Sequence, residues 1–142
     1  MKLVYIAGPY RADTSDGIVK NIKAAEDVAI SLSGQGYDLK LFPVTPHLNT
    51  ARFEFHVPAG DHYWLGGTMA LMEKCDIVLL THPEAGNHSK GTSEEMKRAF
   101  ELGKPVYSSL ALLIQDARND VIGLQCLNYI PTHLRKNVLY NK

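Results

Sequence analysis

The chain reads as an α/β protein, a single domain built on an open parallel sheet with helices on both faces, flavodoxin-like or Rossmann-like. Three observations predict this. Short apolar runs alternate with segments of helical period along the chain, the pattern of successive βαβ units. Crossovers between parallel strands are right-handed, so such units wind into an open sheet rather than a sandwich. The loops expected after the strands, Gly8 to Thr14, Val44 to Asn49 and His82 to Thr92, hold most of the unusual residues, and that edge is where doubly wound sheets take their ligands.

Leu3 to Ala7 is a short apolar run closed by Gly8-Pro9, a buried strand ending in a turn. Ile18, Ile22, Ala25, Val28, Ala29 and Leu32 then recur at helical spacing, with Ser15 or Asp16 available as a cap and Gly34 or Gly36 as a stop. Asp38 to Pro43 reads as the second strand. A polar and aromatic segment follows from Val44 to about Gly60, and helical period returns from Tyr63 to Lys74. Asp76 to Thr81 is the third strand, Thr92 to Leu102 a helix, Lys104 to Ser108 the fourth strand and Leu110 to Ala117 a further helix. Beyond Asn119 the pattern weakens and predicts no fifth strand.

The 142 residues suit one domain spanning 1–142, with enough apolar content for a core. Fifteen basic and fifteen acidic side chains balance, so no global field recruits a nucleic acid polymer or an anionic membrane. No stretch approaches the ~20 apolar residues of a membrane span. Cys75 and Cys126 have neither zinc nor redox spacing, and a reducing cytoplasm is the expected location. His82, Glu84 and His88, and likewise His56, Asp61 and His62, have ligand chemistry but not the spacing of a known metal motif. Neither metal nor cofactor is expected.

Ser89-Lys90-Gly91-Thr92-Ser93-Glu94-Glu95 joins the third strand to the next helix. A small-residue turn at a helix N-terminus presents free backbone N–H groups and so favours anions. Thr92-x-x-Glu95 also matches a capping box, which accounts for Glu95 without any function. Helical position separates the two glutamates. Glu94 falls with Lys97, Arg98 and Glu101 on the solvent face, whereas Glu95 falls with Ala99 and Leu102 at the border of the apolar face. Glu95 is therefore the candidate nucleophile or base.

Tyr5-Ile6-Ala7-Gly8-Pro9-Tyr10, then Pro46-His47-Leu48-Asn49-Thr50, then Ser89-x-Gly91-Thr92-x-x-Glu95 occur in that order. Together they resemble the nucleoside 2-deoxyribosyltransferase-like superfamily, in particular its small DUF4406-type branch, over roughly residues 3 to 107. The resemblance implies a flavodoxin-like fold, a homo-oligomer, and cleavage of the N-glycosidic bond of a (deoxy)nucleoside or nucleoside 5′-monophosphate. It places the family's nucleophilic glutamate on Glu95. A carboxylate attacks C1′ as the base leaves and gives a glycosyl-enzyme ester, which water or a second base resolves. Gly8, Pro9, Tyr10, Arg11, Asn49, Thr68, Ser89, Gly91 and Thr92 are the implied substrate-binding residues.

Two positions depart from the family pattern. Deoxyribosyltransferases have aspartate where this chain has Ser89, whereas the nucleotide N-hydrolase branch has serine. With Arg11 and the amides near Gly91, Ser89 suits a 5′-phosphate. The aspartate that assists base protonation in the family falls on Thr68, which is no acid near neutral pH; Asp61 and His47 are the possible substitutes. Among the remaining residues, Trp64 reads as packing and Asp76 as a partner for backbone groups at a strand start. A non-catalytic nucleotide-binding module of the same fold is the alternative function.

Overall fold

A computed structural model describes residues 1–129 of the chain. Its four strands, β1 (Lys2–Ala7), β2 (Leu41–Val44), β3 (Ile77–Leu80) and β4 (Val106–Tyr107), pair in the order β2-β1-β3-β4. All three pairings are parallel, with Val4 opposite Pro43 on one side and opposite Ile77 on the other. The connecting helices are α1 (Ser15–Gly36), the short α2 (Pro46–Asn49), α3 (Asp61–Glu73), α4 (Lys90–Glu101) and α5 (Leu110–Arg118). This is the predicted flavodoxin-like α/β class, with the strand order of the first four flavodoxin strands.

β1, β3 and β4 alternate their side chains between two cores, because successive side chains in a strand point to opposite faces. Val4, Ile6, Ile77, Leu79 and Tyr107 face α1 and α5, where Ala25, Leu32, Leu113 and Ile114 meet them. Tyr5, Ala7, Val78, Leu80 and Val106 face α3 and α4 and pack with Met72, Cys75 and Ala99. The second face carries the candidate site. A strand covered on both sides has no polar positions to spare, which is why β3 reads as an unbroken apolar run.

Several boundaries differ from the sequence reading. The first helix is capped by Thr14, whose side chain accepts from the Gly17 amide, rather than by Ser15 or Asp16. Tyr37–Leu39 is a 3-10 turn, and Lys40 turns the chain in the left-handed region at φ 58° before β2 begins at Leu41. The second strand therefore does not start at Asp38. Pro43 lies within β2, an edge strand, where its missing N–H leaves no gap in the ladder. The polar segment after β2 is partly ordered, with α2 and a 3-10 turn at Phe53–Phe55. Asp76 takes the structural part expected of it, accepting from the Leu3 amide at 2.8 Å.

Beyond α5, residues 119–129 form no strand but close the free edge of β4. Asn128 Oδ1 accepts from the Val106 amide at 2.9 Å, and Leu127 donates to the Val106 carbonyl at 2.7 Å. Tyr107 donates to Asp116 at 2.6 Å, and Asp116 also accepts from the Gln125 amide and its Nε2. An edge covered this way offers no template for further pairing. Phe53, Phe55, Val57, Tyr63 and Leu65 stay exposed along the surface leading into α3. No helix among the described residues is long and apolar enough to cross a membrane.

Candidate active site

The N-terminus of α4 is set by Ser89. Its Oγ accepts from the Thr92 amide at 3.2 Å and from the Thr92 hydroxyl at 2.9 Å. The capping-box reading of Thr92-x-x-Glu95 is thus replaced by a cap three residues earlier. Thr92 becomes a buried residue of the first turn, and Glu95 moves into the second turn, too far along to satisfy an end amide. The amides of Lys90 and Gly91 precede any intrahelical partner and remain free among the described residues, and the Ser89 hydroxyl keeps its own proton to donate.

Released from capping, Glu95 turns inward. It is 9% exposed, its Oε2 has no hydrogen-bond partner among the described residues, and Ala99 continues its face into the core. Burial pushes its carboxyl from an ordinary value of 4.5 up to about 7, and the Tyr5 hydroxyl beside it works in the opposite direction. Tyr5, fully buried on β1, lies between Glu95 and Thr68 of α3. Among the described residues its hydroxyl completes no hydrogen bond at standard geometry. Burial and the neighbouring carboxylate hold that phenol well above its usual range.

Four buried polar atoms lack partners among the described residues: Tyr5 Oη, His47 Nδ1, Trp64 Nε1 and Glu95 Oε2. They come one each from β1, α2, α3 and α4. Native interiors seldom leave such groups bare, and two of the four, Tyr5 and Glu95, face each other.

His47 holds the loop after β1. It is 4% exposed, and its Nε2 sits 3.0 Å from both the Gly8 and Pro9 carbonyls, so that nitrogen carries the proton and donates. Burial keeps the ring below its ordinary pKa. The substitute acids suggested by the sequence therefore meet a different geometry. The one proton of neutral His47 is committed to backbone, and Asp61 is ion-paired with Arg11 at the surface. Thr68 donates its hydroxyl to the Leu65 carbonyl at 3.2 Å.

The other predicted residues spread around this centre. Tyr10 is clamped, donating to Glu54 at 2.8 Å and accepting from the Arg52 amide at 2.8 Å, with its ring edge-on to His47. Asn21 fastens the same loop through the Tyr10 and Arg11 carbonyls. Gly8 is pressed against Thr81, and Gly91 lies beside Leu65. Arg11 and Asn49 are exposed. Tyr5 and Trp64 were not among the predicted site residues. A phenol inside an otherwise apolar strand is the one signal that could have singled out Tyr5.

An open hollow of about 370 Å³ lies on the opposite side of the sheet, at the ends of β3 and β4, lined by residues that include Asp27, Ser31, His82 and Ser109. It shares no residue with the Glu95 cluster. Among the described residues no three His, Cys, Asp or Glu side chains come together as metal ligands would.

Compared with known proteins, the chain is similar to a solved 2-deoxyribosyltransferase from the psychrotolerant bacterium Bacillus psychrosaccharolyticus. The two share 20% identity over 74% of this chain and 69% of that one, with a TM-score of 0.46. No curated protein matches it. A family model described as "Domain of unknown function (DUF7768)" matches residues 2–109, a span that runs from β1 to the residue before α5 and includes Tyr5, His47, Thr68, Ser89 and Glu95. The chain belongs to the DUF7768 family.

Proposed function

We propose that this protein cleaves the N-glycosidic bond of a (deoxy)nucleoside 5′-monophosphate or nucleoside through a glycosyl-enzyme ester on Glu95, resolved by water or by a second base. The observation that carries this reading is the buried Glu95 carboxyl with a bare Oε2, set beside Tyr5 where helix capping makes no use of it. A carboxylate stripped of water and without a partner is a stronger nucleophile than a solvated one, provided it is ionised. The free amides of Lys90 and Gly91 and the Ser89 hydroxyl offer donors to a 5′-phosphate. Tyr5 borders the nucleophile and Thr68 borders Tyr5, where the sugar would lie. Arg11 joins as a phosphate ligand by exchanging its Asp61 partner.

The motif order, Gly8-Pro9-Tyr10 through Glu95, supports the same chemistry by its resemblance to deoxyribosyltransferases. The exposed apolar run from Phe53 to Leu65 suits self-association, in keeping with a homo-oligomer.

Incubation with a panel of nucleosides and 5′-monophosphates, with free base read by chromatography, tests the proposal. Wild type releases base and Glu95→Ala does not; equal release from both would remove Glu95 from the chemistry. A second reading, a nucleotide-binding module without turnover, is favoured by Thr68 at the position of the expected acid. It predicts thermal stabilisation by a monophosphate without base release, and undiminished binding in Glu95→Gln.

A further inference from the structure

A base that departs from an uncharged nucleoside carries away the C1′–N bonding pair and must be protonated as it leaves. A positioned acid contributes roughly 10²–10⁴-fold to such a step. The groups nominated as acids for this step are otherwise engaged or hold their protons too tightly. The Nε2 proton of His47 points at two carbonyls. Asp61 is paired with Arg11 at the surface. The Thr68 hydroxyl is spent on Leu65 and is no acid. Tyr5 touches the carboxyl, but burial and Glu95 itself hold its proton more tightly than usual.

The charge of the site points the same way. Glu95 makes no ion pair among the described residues; burial and Tyr5 are what act on it. A buried anion without a cation is a costly arrangement, which the carboxyl relieves by holding a proton until a positive group arrives. A ligand that brings its own positive charge to C1′ supplies the missing partner.

Resting on the assignment of Glu95 as nucleophile, we infer that the preferred substrates are N-glycosides whose base is already cationic, a pyridinium or N7-alkylated purinium nucleotide. In the first step a Glu95 oxygen forms the C1′–O bond while the C1′–N pair returns to the ring nitrogen. The base leaves neutral and no proton is required. Water then opens the ester, restoring the carboxylate and releasing the sugar and one proton. Each turnover of a cationic substrate thus yields a net proton, whereas hydrolysis of a neutral nucleoside yields none.

The probes are nicotinamide mononucleotide and N7-methylguanosine 5′-monophosphate against GMP, UMP and dCMP, with the full chain. Base release from the cationic pair is expected to be faster by about 10²-fold, the contribution of the acid that neutral substrates would need. One proton per base should appear in unbuffered solution. Equal or faster release from the neutral nucleotides, abolished by Glu95→Ala, overturns the preference and leaves the N-glycosidase reading standing. No release from either class by wild type overturns that reading itself.

A binding test separates charge from turnover. Oxidised and reduced nicotinamide mononucleotide have nearly the same shape and differ by the ring charge. Wild type should be stabilised more by the oxidised form in a thermal shift, and Glu95→Gln should respond equally to both. Equal shifts in wild type would overturn the inference whether or not base is released.

Discussion

The hydroxyl of Tyr5, on β1, faces the carboxyl of Glu95, on α4, and both are buried with polar atoms left unsatisfied among the described residues. The pair joins the sheet to the helix at the point where the chemistry is proposed, and Tyr5 is the one group that opposes the upward drift of the Glu95 pKa. Tyr5→Phe should therefore move the half-maximal pH of base release upward, while kcat at high pH changes less. Folding stability should change by less than about 1 kcal/mol, because the hydroxyl meets the carboxyl without completing a hydrogen bond of standard geometry. A pH–rate profile and a urea titration read the two effects. A large stability loss would mean that the hydroxyl is satisfied in the folded protein.

With Glu95 pushed to about 7, the nucleophile is about half ionised at neutrality and loses its charge below it. The rate of base release should rise nearly tenfold per pH unit below 7 and level off above it. Stability runs the other way. The folded carboxyl binds its proton more tightly than the unfolded one, so stability falls as pH rises from 4.5 to 7 and stays reduced above that window. Glu95→Gln should be more stable than wild type at pH 8, by at most about 3 kcal/mol from the shift between 4.5 and 7. The difference should vanish below pH 4.5. Denaturant melts at several pH values check both the sign and the window.

Asp116 is buried at 1% exposure and accepts from Tyr107, the Gln125 amide and Gln125 Nε2 at 2.6 to 2.8 Å. Burial raises its pKa, but the hydrogen bonds from Tyr107 and Gln125 outweigh it and hold the group below its ordinary value. Asp116→Asn turns one acceptor into a donor among donors, at a cost of about 2–3 kcal/mol. Because the folded pKa is depressed, the carboxylate stabilises above the unfolded value of 3.8 and loses that effect as pH falls below it. The deficit of Asp116→Asn should accordingly shrink in acid. Equal deficits at pH 7 and pH 3 would argue for packing rather than charge.

At the end of β1, a Cβ on Gly8 would lie 2.3 Å from Thr81 Oγ1 and 2.6 Å from its Cγ2. Thr81 is tied to this strand end, where its amide donates to the Ala7 carbonyl at 2.9 Å. Gly8→Ala should destabilise the fold by about 1–3 kcal/mol and displace the carbonyl that receives His47. Thr81→Ala in the same chain should recover part of the loss, a coupling that a double-mutant cycle measures. Strictly additive effects would show that the clash is relieved elsewhere.

The strands and helices were legible because burial on two faces leaves an unmistakable imprint. Ile77 to Leu80 could only be a covered strand, and Ala25, Ala29 and Leu32 only a helix face. Boundaries were less so. Lys40 in the left-handed region ends the 3-10 turn and delays β2, and lysine carries no signature of that conformation. Thr14 and Ser89 each cap a helix one or more residues before the cap the sequence suggested, because several hydroxyls and carboxyls compete within each window and packing selects among them.

By itself, the sequence determined the fold class, the sheet edge that carries the unusual loops, and Glu95 rather than Glu94 as the residue turned toward the interior, all of them consequences of local periodicity. Only the tertiary structure decided that Glu95 does not cap α4, that Tyr5 is its neighbour, and that His47 and Asp61 are already committed to Gly8, Pro9 and Arg11. These are relations across β1, α2, α3 and α4, between residues up to 90 positions apart. Periodicity reports which face a side chain takes; which partner waits there depends on how the helices cross the sheet.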